Sequence, residues 1–367
     1  MFLFSDFNNF ESMARLYSCV VIEKRWKVNY NWFMKIKGLA VLKAGEKLQE
    51  FEYEKEITDN DVLVKIKYST ITLGDTRFIE NFWGDTKYPL IPSLEIIGEI
   101  QEVGKNINEL TKGDIVGIGY QVSACFECEY CLAGKEQFCQ KQKLICVSEF
   151  GGLADSIAVD HRFAFKLPEN LQDAFSTPLM CSGLTPFVGI KKAGVKEGTK
   201  VGVIGVGGLG HLAIQFLNKM GCTVTAFSHT TSKTDLLKEL GASDVVDSTN
   251  EEELSKLERQ YDFLISTSSA SLDWNLYVKA LKPEGTLCFV GLPPKEVSLK
   301  AELLADYAQR SIIGNYIGSR KDMIEMLEFA SKHNIKAVGE LFKMSEANEV
   351  AEKVKNNSVN FSAILEN

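Results

Sequence analysis

Four cysteines, Cys125, Cys128, Cys131 and Cys139, stand in the run C-x2-C-x2-C-x7-C. Thiolates this close along the chain can converge on one ion, and four of them close a tetrahedral zinc site with no position open to water or substrate. The spacing therefore predicts one zinc per chain that holds a loop and performs no chemistry. Ordinary thiols of a reduced chain lie scattered among apolar neighbours, whereas these stand among Glu127, Glu129, Lys135, Glu136 and Gln137. Disulfides are the weaker alternative. The other five cysteines, Cys19, Cys146, Cys181, Cys222 and Cys288, show no paired spacing, which suits a reducing compartment and a cytoplasmic location.

A second constellation, Gly205, Gly207 and Gly210, forms G-x-G-x-x-G directly after the apolar run Val201 to Ile204 and directly before a helical stretch. Such a turn lets backbone amides at a helix N-terminus approach a pyrophosphate, and the flanking strand and helix distinguish it from a chance glycine-rich loop. Where an NAD-binding chain carries Asp or Glu after the second strand, this one reads Ser228, His229, Thr230, Thr231, Ser232, Lys233. A carboxylate there accepts from the ribose 2′-hydroxyl and repels a 2′-phosphate, whereas hydroxyls and a lysine donate to one. NADP(H) is the expected cofactor, with Ser232 also expected to serve as a helix N-cap.

These sites need two kinds of scaffold, and the chain is long enough for both. Its 367 residues are 45% hydrophobic and 25% charged, enough for a large core and two domains. A net charge of -8 excludes a nucleic-acid or anionic-membrane surface as the main partner and leaves small molecules. No run approaches the roughly 18 consecutive apolar residues of a membrane span. From Val62 to Val116, short β-branched runs (Val62 to Ile66, Ile96 to Val103, Ile115 to Ile118) alternate with Gly, Asp and Asn turns, predicting a β-rich module. From Lys200 onward strands and helices alternate. Strands are expected at Val201 to Ile204, Thr223 to Phe227, Asp244 to Val246, Asp262 to Thr267, Thr286 to Val290 and Ser311 to Ile317. The helices His211 to Met220, Ser232 to Leu240 and Leu272 to Leu281 lie between them, and the whole makes one doubly wound parallel sheet. Helices Lys321 to His333 and Ser345 to Lys355 and a strand near Phe361 to Leu365 are expected in the tail. Residues 1–33 read as a disordered extension or the product of an upstream start codon: a second methionine, Met34, opens a strand-like run, and Asp6, Glu11 and Glu23 argue against a transit peptide.

A structural-zinc run upstream of a late dinucleotide fold resembles the zinc-type medium-chain alcohol dehydrogenases, most closely their NADP-dependent cinnamyl alcohol dehydrogenase branch. The similarity runs from Ile36 to Leu365 and includes Glu129-Tyr130-Cys131, Leu179 to Thr185, Leu209-Gly210-His211, Phe227 to Lys233, Val290 to Pro294 and Ile317 to Lys321. It implies an α/β protein with a GroES-like β-rich catalytic domain (34–181 and 319–367, with its zinc lobe at 125–139) around a Rossmann domain (182–318). It further implies a homodimer, and a cofactor held by Gly205, Gly207, Gly210, Ser228, Thr230 and Lys233 with Thr185 near the nicotinamide.

The catalytic metal of that family is held by a Cys-His-Ser/Thr-Asp run, a Gly-His-Glu run and a later cysteine. Here the first reads Thr72-Leu73-Gly74-Asp75, the second Ser93-Leu94-Glu95, and only Cys181 survives. A threonine hydroxyl is a poor zinc ligand and leucine offers no lone pair. His161, His211, His229 and His333 fall elsewhere in the pattern. A catalytic zinc is therefore not expected, and the plain alternative reads Asp75 and Glu95 as supports of the fold and Cys181 as a small buried hydrophobe. The candidate catalytic set is Thr72, Cys181 and Glu95, with the Thr72 hydroxyl as hydrogen-bond donor, Tyr68 and Tyr120 as lesser candidates for that role, and Trp83 as a wall for flat substrates or as core. Three activities fit: NADPH-dependent reduction of an enal, enone or other carbonyl compound without catalytic zinc, a conventional zinc-dependent NADP alcohol dehydrogenase, or NADPH binding without turnover.

Overall fold

The computed structural model describes residues 32–305 and 307–367. The expected extension, with Asp6, Glu11, Cys19 and Glu23, lies outside the described residues except for Trp32 and Phe33. These two belong to the strand Trp32–Ala40, which pairs antiparallel with Gln49–Ile57 from Trp32 opposite Ile57 onward. The strand thus includes residues before Met34, because pairing with Glu56 and Ile57 carries it two residues past the apolar run.

The β-rich module is a seven-stranded sheet drawn from both ends of the chain. Along it lie Gly339–Lys343, Ser362–Glu366, Asp61–Ile71, Ile96–Val103, Ile115–Ile118 and Phe165–Lys166, with Ser156–Asp160 also paired to Asp61–Ile71. Ser362–Glu366 joins by antiparallel pairing, Ala363 opposite Ile71 and Glu366 opposite Tyr68. Gly339–Lys343, absent from the sequence reading, pairs in parallel beyond it as a half-exposed edge.

The second sheet holds six parallel strands: Lys200–Ile204, Thr223–Ser228, Asp244–Asp247, Tyr261–Ser266, Leu281–Phe289 and Ser311–Gly314. Their spatial order is third, second, first, fourth, fifth, sixth, the doubly wound order that leaves a crevice beside the first strand. Val201, Val203 and Ile204 are fully buried because helices cover both faces, which is why such strands read as continuous apolar runs. Helix Gly210–Lys219 packs with Leu184–Lys192 and Arg320–His333 on one face, and Trp274–Ala280 covers the other. The cluster on the first face also contains Ile97 and Phe165 of the seven-stranded sheet, so one core joins the two sheets.

Three boundaries differ from expectation. The helix expected from Ser232 begins at Thr234 after a tight turn over Thr231–Lys233, so Lys233, not Ser232, occupies the cap position. The fifth strand starts early, at Leu281, where it bridges to Tyr261. The sixth ends at Gly314, which releases Asn315 to Ile317 into the space between the sheets.

Candidate active site

The four cysteines of the first motif come together. Helix Glu129–Leu132 follows Cys128 directly and a 3-10 turn, Glu136–Phe138, delivers Cys139. Their sulfurs all lie within 4.8 Å of one another, with Cys139 at 3.5 Å and Cys131 at 3.9 Å from Cys125. Disulfide sulfurs stand about 2.05 Å apart, whereas a tetrahedron with arms of about 2.3 Å has edges of about 3.8 Å. The geometry is that of a zinc site. Backbone N–H groups of Glu127 and Cys128 aim at Cys125 and pull its thiol down to about 6, favouring the thiolate a metal needs. The apolar cluster of the lobe is small: Ala124, Cys131, Cys139 and Phe163. Outside it, Phe126 carries the Arg162 guanidinium 3.4 Å from its ring centre, and Arg320 reaches the buried Glu136 at 3.7 Å.

The glycine turn leads from the first strand into helix Gly210–Lys219. Gly205 has φ +82°, outside the range of ordinary residues, and a Cβ on Gly210 would stand 2.2 Å from the Gly205 carbonyl oxygen. A Cβ on Gly207 would meet nothing within 4 Å, so this edge of the turn is open to a ligand. The three glycines thus serve a tight turn, free approach and close strand–helix packing, which fits a dinucleotide pyrophosphate. Ser228 ends the second strand, where its hydroxyl accepts from Thr230 N–H at 3.1 Å. No carboxylate stands in the turn from Ser228 to Lys233. Asp247, opposite Ser228 on the neighbouring strand, is engaged by the backbone and hydroxyl of Thr249. Thr185, in the first turn of helix Leu184–Lys192, is buried.

The third group, at the position of the lost ligands, is organised by two buried carboxylates. Thr72 caps helix Leu73–Ile79: its hydroxyl and N–H donate to Asp75 Oδ2 at 2.6 and 2.8 Å, while Ser93 N–H donates to Oδ1 at 2.8 Å. Glu95 is bonded at both oxygens, by the Thr70 hydroxyl and the Ser182 N–H, each at 2.6 Å. Burial raises Asp75 to about 6 and Glu95 to about 7. Burial, with the charges of Glu95 and Asp75 near it, also holds the Cys181 thiol above its ordinary value, as burial does for Cys131 in the lobe. Thr72 and Leu94 do converge, both contacting the space above Gly74. Their donors do not: one hydroxyl is committed to a helix cap, one side chain is apolar, and the Glu95 oxygens are satisfied. This donor set does not fit a catalytic zinc. Among the described residues, the one group of three or more His, Cys, Asp or Glu side chains arranged to hold an ion is the cysteine cluster of the lobe.

The same hydrogen bonds correct the expectation for Thr72, whose proton points to Asp75 rather than to a substrate. Tyr68 lies in the strand Asp61–Ile71 as part of the inter-sheet packing. Tyr120 is different. Its ring is buried and meets Tyr316 edge to face at 5.7 Å, the two hydroxyls interact, and both side chains sense Cys181 and Cys146. Tyr316, missed by the sequence reading, is 50% exposed and sits on the segment freed by the early end of the sixth strand. Asn315 beside it donates to the Thr185 carbonyl at 2.9 Å. Nothing in the local sequence marks Tyr316, since its role depends on where that strand stops. Trp83 packs on Phe78 at 4.9 Å and Phe82 at 5.7 Å yet keeps 39% of its surface exposed, so it is neither core nor free. Arg77, on the same helix as Phe78, donates to the Leu292 carbonyl at 3.3 Å and bridges to the loop after the fifth strand.

Residues 58–169 match the alcohol dehydrogenase GroES-like domain, and residues 208–332 match the zinc-binding dehydrogenase domain. The aldehyde reductase AdhA of Synechocystis sp. is 37% identical over 333 residues, spanning 90% of this chain and 98% of that protein. Cinnamyl alcohol dehydrogenase 2 of Arabidopsis thaliana is 33% identical over 331 residues, covering 87% and 88%. Among solved structures, a cinnamyl alcohol dehydrogenase from Sorghum bicolor superposes with a TM-score of 0.87 at 30% identity, over 91% of this chain and 98% of that one. The Helicobacter pylori cinnamyl alcohol dehydrogenase complexed with NADP(H) gives 0.85 at 30%, over 91% and 99%. The chain belongs to the zinc-type alcohol dehydrogenase family, with a GroES-like domain and a Rossmann domain, and is an oxidoreductase of that family.

Proposed function

For this zinc-type alcohol dehydrogenase relative we propose NADPH-dependent reduction of an activated carbonyl compound, a conjugated enal or enone or an aldehyde, with zinc confined to the lobe. The observation that carries this reading is the state of the lost-ligand position: Thr72 serves as a helix cap, Leu94 is apolar, and Glu95 is fully hydrogen-bonded. The aldehyde reductase and the NADP(H)-bound neighbour agree with the substrate class and the cofactor.

Gly205, Gly207 and Gly210 would hold the pyrophosphate, Thr185 would lie beside the nicotinamide, and Ser228, Thr230 and Lys233 would meet the 2′-phosphate. Bound there, NADPH supplies the hydride. The protein must then stabilise charge on the substrate oxygen, and the Tyr120–Tyr316 pair offers hydroxyls beside Cys181 for that purpose. Burial drives the Tyr120 phenol well above its ordinary range, so it stays protonated and donates without ionising. Tyr316, half exposed, connects the pair to solvent, which supplies the proton that the reduced substrate takes up. Without a Lewis acid an unactivated carbonyl gains little, whereas a conjugated acceptor spreads its charge onto an enolate that hydrogen bonds can hold. Trp83, Phe82 and Leu292 offer apolar surface for a flat substrate. No helix among the described residues is long and apolar enough to cross a membrane, and we place the enzyme in the cytoplasm as a homodimer.

The test is NADPH oxidation by the purified protein with enals, enones, quinones and simple aldehydes, in parallel with zinc analysis. Conjugated substrates should be turned over by protein carrying one zinc per chain. A conventional zinc enzyme would instead show two zincs and prefer simple aldehydes. Absence of turnover with every acceptor would leave NADPH binding alone.

A further inference from the structure

Phe361 immediately precedes the last strand of the catalytic sheet, Ser362–Glu366, far from the dinucleotide turn in sequence. Its backbone sits at φ +61°, a conformation rare for an aromatic residue, and its ring stacks on the His211 imidazole at 4.8 Å with 8° between the planes. His211 is held from both sides of the crevice. Its Nε2 accepts from Val338 N–H at 3.1 Å, so Nδ1 carries the proton and donates to the Gly207 carbonyl at 3.0 Å. Burial lowers its pKa to about 4, so the ring stays neutral. A Cβ on Gly208 would stand 3.3 Å from the Phe361 carbonyl oxygen. Thus the cofactor turn, His211 and Phe361 form one packed unit. Against the Phe361 ring lies the Lys233 ammonium, 4.7 Å from the ring centre.

We infer that Phe361, a residue of the catalytic domain, is a specificity-determining positioning residue: its ring face holds the Lys233 ammonium where a 2′-phosphate would be read. Lysine is a compact charge on a flexible stem and loses rotamer freedom when it binds an anion. A ring face that attracts the ammonium removes part of that loss beforehand. Ser228 cannot supply the same preorganisation, since its hydroxyl is already engaged with Thr230. The inference rests on the NADPH reading above.

The experiment measures dissociation constants of NADPH, NADH, 2′,5′-ADP and 5′-AMP by calorimetry for the wild type, F361L, F361Y, K233M and the double variant. F361L should weaken NADPH and 2′,5′-ADP about 2- to 5-fold and leave NADH and 5′-AMP unchanged. F361Y should retain wild-type affinity, and in the K233M background F361L should cost nothing further. F361M, which keeps apolar volume without a ring face, carries the same comparison if F361L does not fold. Equal losses for phosphorylated and unphosphorylated ligands, or losses that multiply in the double variant, would overturn the inference while leaving the cofactor reading intact. A wild type that binds NADH as well as NADPH would overturn the cofactor reading itself, and the inference with it.

Discussion

The lobe around Cys125 and the pocket around Cys181 belong to one β-rich domain, and both are places where the family pattern puts a metal, yet they are built on opposite principles. In the lobe, thiols 3.5 to 3.9 Å apart stand over an apolar cluster that amounts to Ala124, Phe163 and two of the cysteines themselves. On the proposed reading an ion takes the place of a core there. Around Cys181, Asp75 and Glu95 spend their oxygens on Thr72, Ser93, Thr70 and Ser182. There packing and hydrogen bonds take the place of an ion. What separates the two is where the lone pairs point, not how many polar residues are present.

The comparison breaks most visibly if the lobe tolerates loss of a ligand. Cys139→Ser should release the zinc, expose residues 125–139 to limited proteolysis and cost more than about 4 kcal/mol of stability. Cys181→Ala should cost about 1 kcal/mol and leave zinc content unchanged. Similar melting temperatures for the two variants would erase the distinction. Next in size, Tyr316→Phe should lower kcat for enal reduction about 100-fold with little change in NADPH affinity, as stopped-flow and titration would show. An unchanged kcat would remove the tyrosine pair from the chemistry.

Glu95 sharpens the contrast through pH. Its pKa in the folded protein is about 7 against an ordinary 4.5, so between these values the native state keeps a proton that the unfolded chain has lost. Stability contributed by this group therefore falls as pH rises through that window and stays reduced above it. Glu95→Gln removes the titration, and its melting temperature relative to wild type should climb by a few degrees between about pH 5 and pH 8. A difference that does not vary with pH would show that Glu95 is not held protonated by burial. Smallest of all, Thr72→Val should cost about 1 kcal/mol through loss of the helix cap and leave kcat within about twofold, a result that calorimetry and steady-state rates would separate.

Much of this was legible in the sequence because its signals are local. The cysteine spacing, the glycine turn after an apolar strand, and the six strands of the parallel sheet all depend on residues a few positions apart, and each is present in the expected order, the fifth and sixth strands with shifted ends. The residue types at Thr72 and Leu94 were equally legible, but not the hydrogen bond of the Thr72 hydroxyl to Asp75, which is set through a helix cap. Tyr316 was hidden because its place follows from the sixth strand ending at Gly314 rather than at Ile317. Phe361 and His211 were hidden for a similar reason: they meet only because the last strand returns to the first domain's sheet and faces the glycine turn. The edge strand Gly339–Lys343 escaped because a half-exposed strand has little apolar pattern to show.

The central claim is that metal resides in one region and not in the other, and zinc per chain tests it most directly. Elemental analysis of the purified wild type, Cys181→Ala and Cys139→Ser should give about one, one and zero zincs per chain, respectively, the single site being the four-thiolate lobe. Two zincs per wild-type chain, falling to one in Cys181→Ala, would contradict the account and make the protein a conventional two-zinc alcohol dehydrogenase.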